Sequence, residues 1–390
     1  MALLRNIVVG IDIGTAFIRV VVCEQEKNKP TPTIIGTGMA ENKGMRRGYI
    51  TEKAEVTAAI KKAVKDASRM ANVEIKRAVV GISGISMHAQ TNVGFAIISK
   101  ADSEVTSLDI EKAVNESEKS LDLTNKRIVS NFAVSFKLDG QEVLGRPEGQ
   151  KGIKLEVKTL FITCLSQHAD DLEETLAEAG IEITDIVPNA IASAYVVLNA
   201  KQKTVGGALL DIGAETVSLA VFENRLLIGL HVFGIGSADI TNDIALGMRI
   251  PLEEAEAVKI GSTSGTYPKK KVDDIIDARL DDMFEVTEHY LKKLKRNELL
   301  PAGVILIGGG SLLPQIEDVA KNFLRLPAKR GSLEMETLSK GKLREAMWFT
   351  AYGLCIIGFD ENRGVPIGSF GEFTKKTKSF FKNLFSQFRP

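Results

Sequence analysis

The sequence predicts an α/β protein of two lobes, each built on a duplicated βαβ unit. At 390 residues the chain is too long for one ordinary hydrophobic core. The DIG motif at 12–14 returns at 211–213, and in both copies Val and Glu follow the aspartate at offsets of ten and twelve residues. A glycine-bearing strand end follows in each half, GISG at 81–84 and IGGGS at 307–311.

The first half of the chain alternates the patterns of strands and helices. Residues 6–24 predict two strands joined by a Gly-Thr turn, and residues 52–72 carry the apolar spacing of a helix. A strand is predicted at 78–83, and two helices are predicted at 168–180 and 188–199. This order is typical of one α/β lobe.

Residues 84–163 interrupt that lobe and predict a small inserted α+β subdomain. Extended pieces lie near 93–98 and 129–138, and a helix is expected after a cap at Thr106–Asp109.

In the second half a hinge is expected at 201–207. The expected domains are 1–83 with 164–200 (first lobe), 84–163 (side subdomain), 204–236 with 303–359 (second lobe), 237–302 (helical subdomain), 360–371 (linker) and 372–390 (terminal helix).

Composition restricts the classes of function. The 50 basic and 50 acidic side chains balance, so nucleic acid is not expected as a partner. No apolar run approaches the roughly 18–20 residues that span a bilayer, and the N-terminus lacks the pattern of a signal peptide. We therefore expect a cytoplasmic protein with Cys23, Cys164 and Cys355 as buried free thiols.

The first DIG motif predicts an anion site at a turn between two strands. Glycine permits a tight turn, so the amides of Gly14, Thr15 and Ala16 can point at one phosphate. The Thr15 hydroxyl and the Arg19 side chain can reach the same charge. Asp12 beside a phosphate suits a hydrated Mg²⁺.

The second copy makes this hypothesis stronger, because Asp211 would face Asp12 across a shared cleft and both would hold Mg²⁺ through water. In its turn, Ala214 and Glu215 occupy positions where further glycines would let the backbone approach a phosphate more closely. Glu215 also places a negative charge near the anion site. Tight binding and efficient hydrolysis are less expected for that reason. The residues predicted to bind nucleotide in this part are Gly213, Ala214, Glu215, Thr216 and Gly236.

A third candidate region combines a glycine run with a charged pair. Without side chains, Gly308, Gly309 and Gly310 can lie flat against an adenine or a ribose. Glu256 and Lys259 are three residues apart on one helical face and could contact the ribose and the base. The alternatives are a glycine turn that starts a helix and a solvated ion pair.

Duplicated DxG lobes with a late GGG resemble the ATPase superfamily of actin and the sugar kinases. Finer features resemble its bacterial FtsA family, whose order is matched by KGMRRGYI (43–50), FKLDGQEVLGRPEGQKGIKLEV (136–157), PNAIASAYVVL, DIGAETVSLAVF, PLEEAEAVKIG and VILIGGGSLLP. The resemblance covers about 6–359 and the tail, and 136–157 is its most specific part. The motif DIGAET (211–216) is more like the corresponding motif of the related pilus protein PilM, but PilM lacks the GMRRG element.

The resemblance implies an actin-like, ribonuclease H-like fold, binding of ATP and Mg²⁺, and head-to-tail self-assembly. It also implies a tether that holds the tubulin-like FtsZ at the inner face of the membrane at the division site. The C-terminal peptide of FtsZ would dock on a helix at 273–297, where Arg279 matches the family's arginine and Asp282 lies nearby. Later division proteins would bind the side subdomain. ATP turnover is expected to be slow at most, and the catalytic residue is unknown.

Two other functions fit parts of the pattern. One is a PilM-like scaffold for the cytoplasmic peptide of a membrane protein. The other is a small-molecule kinase of the same superfamily, although no convincing catalytic base accompanies the phosphate motifs.

The tail at 372–390 predicts an amphipathic helix on an anionic membrane surface. On a helical wheel the large apolar groups fall within an arc of roughly 140°, and basic residues flank it. The apolar members are Phe373, Phe380, Phe381, Leu384, Phe385 and Phe388, and the basic members are Lys378, Lys382 and Arg389. A helix docked on the body or on a partner helix is the alternative.

Overall fold

A computed structural model describes residues 6–26, 29, 31–99, 102–262, 267–333, 335–336, 342–343 and 345–362. The strands are β1 (Ile7–Ile13), β2 (Phe17–Glu24), β3 (Thr33–Glu41), β4 (Met45–Arg46), β5 (Tyr49–Ile50), β6 (Arg77–Ile82), β7 (His88–Ile97), β8 (Lys126–Leu138), β9 (Gln141–Val143), β10 (Lys154–Leu165), β11 (Glu182–Pro188), β12 (Gly207–Ile212), β13 (Val217–Glu223), β14 (Leu226–Phe233), β15 (Val304–Ile307), β16 (Ala328–Arg330), β17 (Met335–Glu336) and β18 (Lys342–Leu343). The helices are α1 (Lys53–Ala71), α2 (Ser107–Lys119), α3 (Ser166–Glu178), α4 (Asn189–Val197), α5 (Ala200–Val205), α6 (Ser237–Met248), α7 (Leu252–Lys259), α8 (Lys269–Lys293), α9 (Ile316–Leu324) and α10 (Phe349–Asn362).

Each lobe contains five strands in the same spatial order. The first lobe has the order β11-β6-β1-β2-β3, and the second has β16-β15-β12-β13-β14. In both lobes the opening strand pairs antiparallel with the next strand of the chain and parallel with a later strand. The predicted duplication of an α/β lobe is therefore confirmed.

The inserted α+β subdomain is also confirmed. Its strands β7, β10, β8 and β9 form one sheet, and α2 packs on it over a small apolar core of its own. The expected cap is present: the Thr106 hydroxyl accepts from the Asp109 amide, and the Asp109 carboxylate accepts from the Thr106 amide. This sheet joins that of the second lobe at one residue pair, His231 with His88.

Close backbone packing holds α10 against the centre of the first lobe. A Cβ at Gly10 of β1 would lie 2.2 Å from the Ala351 carbonyl oxygen, and one at Gly353 would lie 2.0 Å from the Ala192 carbonyl oxygen. Glycine is required at both positions because any side chain would push α10 off β1 and α4. The end of β1 that carries Asp12 is fixed by this packing.

Several local expectations differ from the structure. The hinge expected at 201–207 contains α5, whose start is capped by reciprocal hydrogen bonds between Asn199 and Gln202. Helix α10 runs to Asn362, into the stretch expected to be linker. The tail residues 372–390 lie outside the described residues. Among the described helices, none combines the length and apolarity needed to cross a membrane. The three cysteines are buried free thiols, as predicted.

Candidate functional site

The two repeated hairpins meet at a cleft of about 950 Å³ between the lobes. Both turns have the same backbone hydrogen bond. The Gly14 amide donates to the Phe17 carbonyl at 3.1 Å, and the Gly213 amide donates to the Thr216 carbonyl at 2.8 Å. Each turn is tight, so the loop that follows each aspartate lies in the wall of the cleft.

Asp12 is buried and is held by polar neighbours of its own lobe. Its Oδ1 accepts from Asn189 Nδ2 at 2.9 Å, and its Oδ2 lies 3.9 Å from Arg19 Nη1. Burial raises the pKa of Asp12 to about 6, and the Arg19 charge and the Asn189 hydrogen bond partly oppose this rise. Arg19 lines the cleft, and its buried Nε has no hydrogen-bond partner among the described residues.

Asp211 lies in the facing wall, and its neighbours differ from those of Asp12. Burial raises the pKa of Asp211 to about 7, the negative charge of Asp12 contributes to this rise, and Arg19 opposes it. Behind it is Gly308, at φ +84°, where a Cβ would lie 2.4 Å from Asp211 Oδ1. The two carboxylates therefore repel each other across the cleft, and a cation between them would relieve this repulsion.

The third wall comes from the glycine run and from α7. Gly309 has open space around it, and a short 3₁₀ turn over Gly309–Leu312 follows β15. Lys259 Nζ is buried and bonds Glu256 Oε2 at 2.7 Å, Thr241 Oγ1 at 2.8 Å and the Ser237 carbonyl at 3.1 Å. The Lys259 end of the pair is thus buried and tied to α6, whereas the Glu256 side chain is 47% exposed.

Most residues predicted to bind nucleotide line this one cleft. They are Asp12, Gly14, Thr15, Ala16, Arg19, Asp211, Gly213, Ala214, Thr216, Glu256, Lys259, Gly308, Gly309 and Gly310. Two predicted residues are not among its lining. Glu215 accepts a hydrogen bond from the Arg47 amide of the first lobe, and Gly236 supports the loop from behind, where a Cβ would lie 2.3 Å from the Ala214 carbonyl oxygen.

Sequence reasoning missed other parts of the cleft. Asn189 begins α4 within the motif PNAIASAYVVL, but nothing local in the sequence links it to Asp12. Ser83 and Ser218 bond across the lobes at 3.2 Å between their hydroxyl oxygens. Tyr267 and Lys269 line the side of the cleft near α8.

The sequence was compared with known families and with solved structures. Residues 208–353 match the family model described as cell division protein FtsA, and residues 84–163 match the SHS2 domain inserted in FtsA. The cell division protein FtsA of Pseudomonas aeruginosa is 27% identical over 378 residues, covering 91% of this chain and 90% of that protein. That of Bacillus subtilis is 29% identical, covering 82% and 77%, and that of Escherichia coli is 25% identical, covering 99% and 98%. The chain belongs to the FtsA family.

The solved structures agree with this assignment at the level of the fold. A chain of the PilM–PilN type IV pilus biogenesis complex superposes with a TM-score of 0.67 at 18% identity, covering 90% of this chain and 98% of that one. MreB5 of Spiroplasma citri bound to ADP gives a TM-score of 0.50 at 15% identity, covering 90% and 95%. The predicted actin-like fold is confirmed, and so is the prediction of an FtsA-type cell division protein.

The residues that the FtsA resemblance assigns to FtsZ lie on α8 and are not among the cleft lining, although Ile276, one turn earlier on the same helix, is. Arg279 Nε donates to Asp243 Oδ2 at 2.6 Å, and Arg279 Nη2 donates to Asp243 Oδ1 at 3.0 Å. Arg279 Nη1 lies 3.1 Å from Asp282 Oδ2. Arg279 is partly exposed between two carboxylates, so a peptide carboxylate would have to share or displace one of them.

Proposed function

We propose that this FtsA-family protein binds ATP with Mg²⁺ in the cleft and assembles head to tail. Through its terminal segment it would tether FtsZ filaments to the inner face of the cell membrane. One observation supports the nucleotide part above the others. Two carboxylates from the duplicated hairpins, Asp12 buried and Asp211 half-buried, face each other, with the cationic Arg19 and a glycine wall beside them. This set of groups is suited to a divalent cation and a polyphosphate.

Each part of the cleft has a separate task in this proposal. The Gly14 and Gly213 amides donate within their own turns, contrary to the role predicted for Gly14, so the amides that follow them would bind phosphate oxygens. Asp12 and Asp211 would hold the waters of the metal ion. Bound Mg²⁺ would neutralise the charge that accumulates between phosphates and carboxylates. Asn189 would orient Asp12, and the Gly308–Gly310 wall would leave room for the base. We assign no general base among the described residues and propose slow turnover at most.

The tethering part of the proposal depends on many weak contacts acting together. Each basic residue near an anionic surface contributes roughly 1 kcal/mol, whereas ordering a helix costs roughly 1–2 kcal/mol per residue. A single tail should therefore bind weakly, and a filament that displays many tails should bind far more tightly. Assembly in the cytoplasm would then control attachment to the membrane.

Co-sedimentation of FtsZ with anionic liposomes tests the tether. Full-length protein should pellet FtsZ with the liposomes, and a chain that ends at Gly368 should not. A chain with a scrambled order of residues 372–390 is the matched control, because its charge and composition are unchanged. If the truncated or the scrambled chain pellets FtsZ as well as the full chain, the tail is not the anchor.

The FtsZ contact can be separated from the membrane contact. Arg279→Glu should abolish recruitment of FtsZ to liposomes while the variant itself still pellets, because α8 is distant in sequence from the tail. Measuring both proteins in the same pellets, with and without ATP and Mg²⁺, tests assembly as well. Unchanged FtsZ recruitment by this variant would show that the peptide docks elsewhere.

A further inference from the structure

Glu215 belongs to the turn of the second lobe that follows Asp211, yet its side chain crosses to the first lobe. Its Oε2 accepts from the Arg47 amide at 2.7 Å, and its Oε1 lies 3.9 Å from Arg46 Nη1. The side chain does not line the cleft, although its neighbours Ala214 and Thr216 do. The glutamate therefore bonds the first lobe and does not face the nucleotide site.

The partner of Glu215 is the hairpin of β4 and β5, which we call the arginine hairpin (residues 45–50). Arg46 pairs with Tyr49, so the turn consists of Arg47 at φ +48° and Gly48 at φ +85°. Two successive positive φ angles define a type I′ turn, and a left-handed arginine costs roughly 1–2 kcal/mol. Among the described residues, Glu215 is the hydrogen-bond partner of the Arg47 amide.

The arginine hairpin also contacts the cleft and the root of the side subdomain. Gly48 lines the cleft, and a Cβ there would lie 2.4 Å from the Gly84 Cα. The Ile85 amide donates to the Arg47 carbonyl at 3.4 Å. Glu215 thus fastens a phosphate-binding turn of one lobe to a hairpin that is fixed on the other.

We propose that Glu215 is a latch between the lobes, through which the turn after Asp211 and the arginine hairpin hold the cleft closed and slow the release of nucleotide. The proposal rests on nucleotide binding in the cleft as given above. Glu215 acts through the Arg47 amide, so it is a positioning residue. The strained turn is the second observation for this role, since strained backbone is retained where surrounding contacts fix it.

The direction of one effect separates the latch from simple electrostatics. If Glu215 acted only as a negative charge near an anion site, its removal would slow the release of nucleotide. If it is a latch, its removal frees the arginine hairpin and speeds release. The two accounts predict opposite signs for the same substitution.

The experiment compares Glu215→Ala, Glu215→Gln and Glu317→Ala in the full chain. Glu317 is the matched control, because its Oε1 accepts from the Arg330 amide at 2.6 Å and lies 3.5 Å from Arg330 Nε. That contact has the same chemistry but lies within the second lobe. Hydrogen exchange of peptides containing Arg47 is measured without nucleotide, and release of a fluorescent ATP analogue is measured by stopped flow in Mg²⁺.

For Glu215→Ala we expect exchange at Arg47 and analogue release to be about three- to tenfold faster than in the unaltered chain. Glu215→Gln keeps an acceptor for the Arg47 amide and should restore most of the protection from exchange. Glu317→Ala should match the unaltered chain in both measurements. Unfolding midpoints within about two degrees of one another would show that loss of the fold is not the cause.

Two results would overturn the latch: equal exchange at Arg47 in Glu215→Ala and the unaltered chain, or slower analogue release in Glu215→Ala. Failure of the unaltered chain to bind the analogue would instead refute the proposed nucleotide site. The exchange measurement in the nucleotide-free chain would still decide whether Glu215 holds the arginine hairpin.

Discussion

The turns that follow Asp12 and Asp211 share a backbone and differ in what supports them. Both close with the same amide-to-carbonyl bond, and both carry an aspartate near the end of the opening strand, buried in the case of Asp12 and half-buried in the case of Asp211. Asp12 accepts a hydrogen bond from Asn189, whereas the structure around Asp211 supplies the close approach of Gly308 and, among the described side chains, no hydrogen-bond donor.

The strand opposite each aspartate shows the same difference. In the hairpin register Asp12 faces Arg19, and Asp211 faces Ser218. In the first lobe, therefore, the carboxylate has a hydrogen-bond donor and a cation beside it. In the second lobe a small serine stands opposite the aspartate, and no cation among the described residues of that lobe opposes its charge. The two hairpins thus share a backbone, while the side chains around their aspartates differ between the lobes.

Gly308→Ala should break the second turn and give the largest effect. The new Cβ would lie 2.4 Å from Asp211 Oδ1 and 2.5 Å from the Ile212 carbonyl oxygen, at a φ of +84°. We expect a loss of about 3 kcal/mol in the free energy of unfolding, measured with denaturant.

The neighbouring glycine provides the control for that substitution. A Cβ at Gly309 would have no neighbouring atom within 4 Å, so Gly309→Ala should change stability by less than about 0.5 kcal/mol. Equal stability of the two variants would contradict the idea that the second lobe supports its aspartate through close packing at Gly308.

Replacing the aspartates one at a time tests how well neighbouring groups offset the charge of each carboxylate. The pKa of Asp211 is raised to about 7 and that of Asp12 to about 6, so well above pH 7 the folded state retains both charges at a cost in stability. Asp211→Asn should stabilise the nucleotide-free chain by about 1 kcal/mol. Asp12→Asn should stabilise it less, because it removes the partner of Arg19.

The same two variants should both lose affinity for nucleotide in Mg²⁺, by about tenfold or more. Denaturant unfolding and titration of a fluorescent nucleotide, performed on each variant, measure the two effects separately. A stabilising Asp211→Asn that still binds nucleotide normally would show that Asp211 has no part in metal binding.

The smallest expected effect concerns the hydroxyl contact between the lobes. Ser83 is half-buried and Ser218 is buried, with 3.2 Å between their hydroxyl oxygens. A double-mutant cycle with Ser83→Ala and Ser218→Ala should give a coupling of about 0.5–1 kcal/mol. No measurable coupling would indicate that the lobes are held at the cleft by other contacts.

Local patterns in the sequence predicted much of the fold. The repeated DIG runs predicted the paired hairpins, the spacing at 52–72 predicted α1, and the change of pattern at 84–163 predicted the inserted subdomain. Helix α5 in the expected hinge was missed, because Asn199 and Gln202 cap a helix of only six residues, too short to show an apolar period. The strand β11 was also missed, since its partners are distant in sequence.

The site was less predictable than the fold for a physical reason. The turn amides and the aspartates follow from local geometry, and the structure brings them together. The positions of Asn189 and Ser83 in the site depend on how the helices and lobes pack, and no short stretch of sequence predicts that packing. Glu215 was predicted from its position in the turn to face the anion, but its side chain bonds Arg47 across the lobes.

The packing of α10 has a mechanical consequence. If the residues after 362 hold the protein at a membrane, any pull on the filament enters the body through this helix. It rests on β1 at Gly10, and Cys355 Sγ donates to the Val21 carbonyl of β2 at 3.2 Å. Tension that reaches α10 would therefore load the two strands that form the first hairpin, and β1 is the strand that carries Asp12.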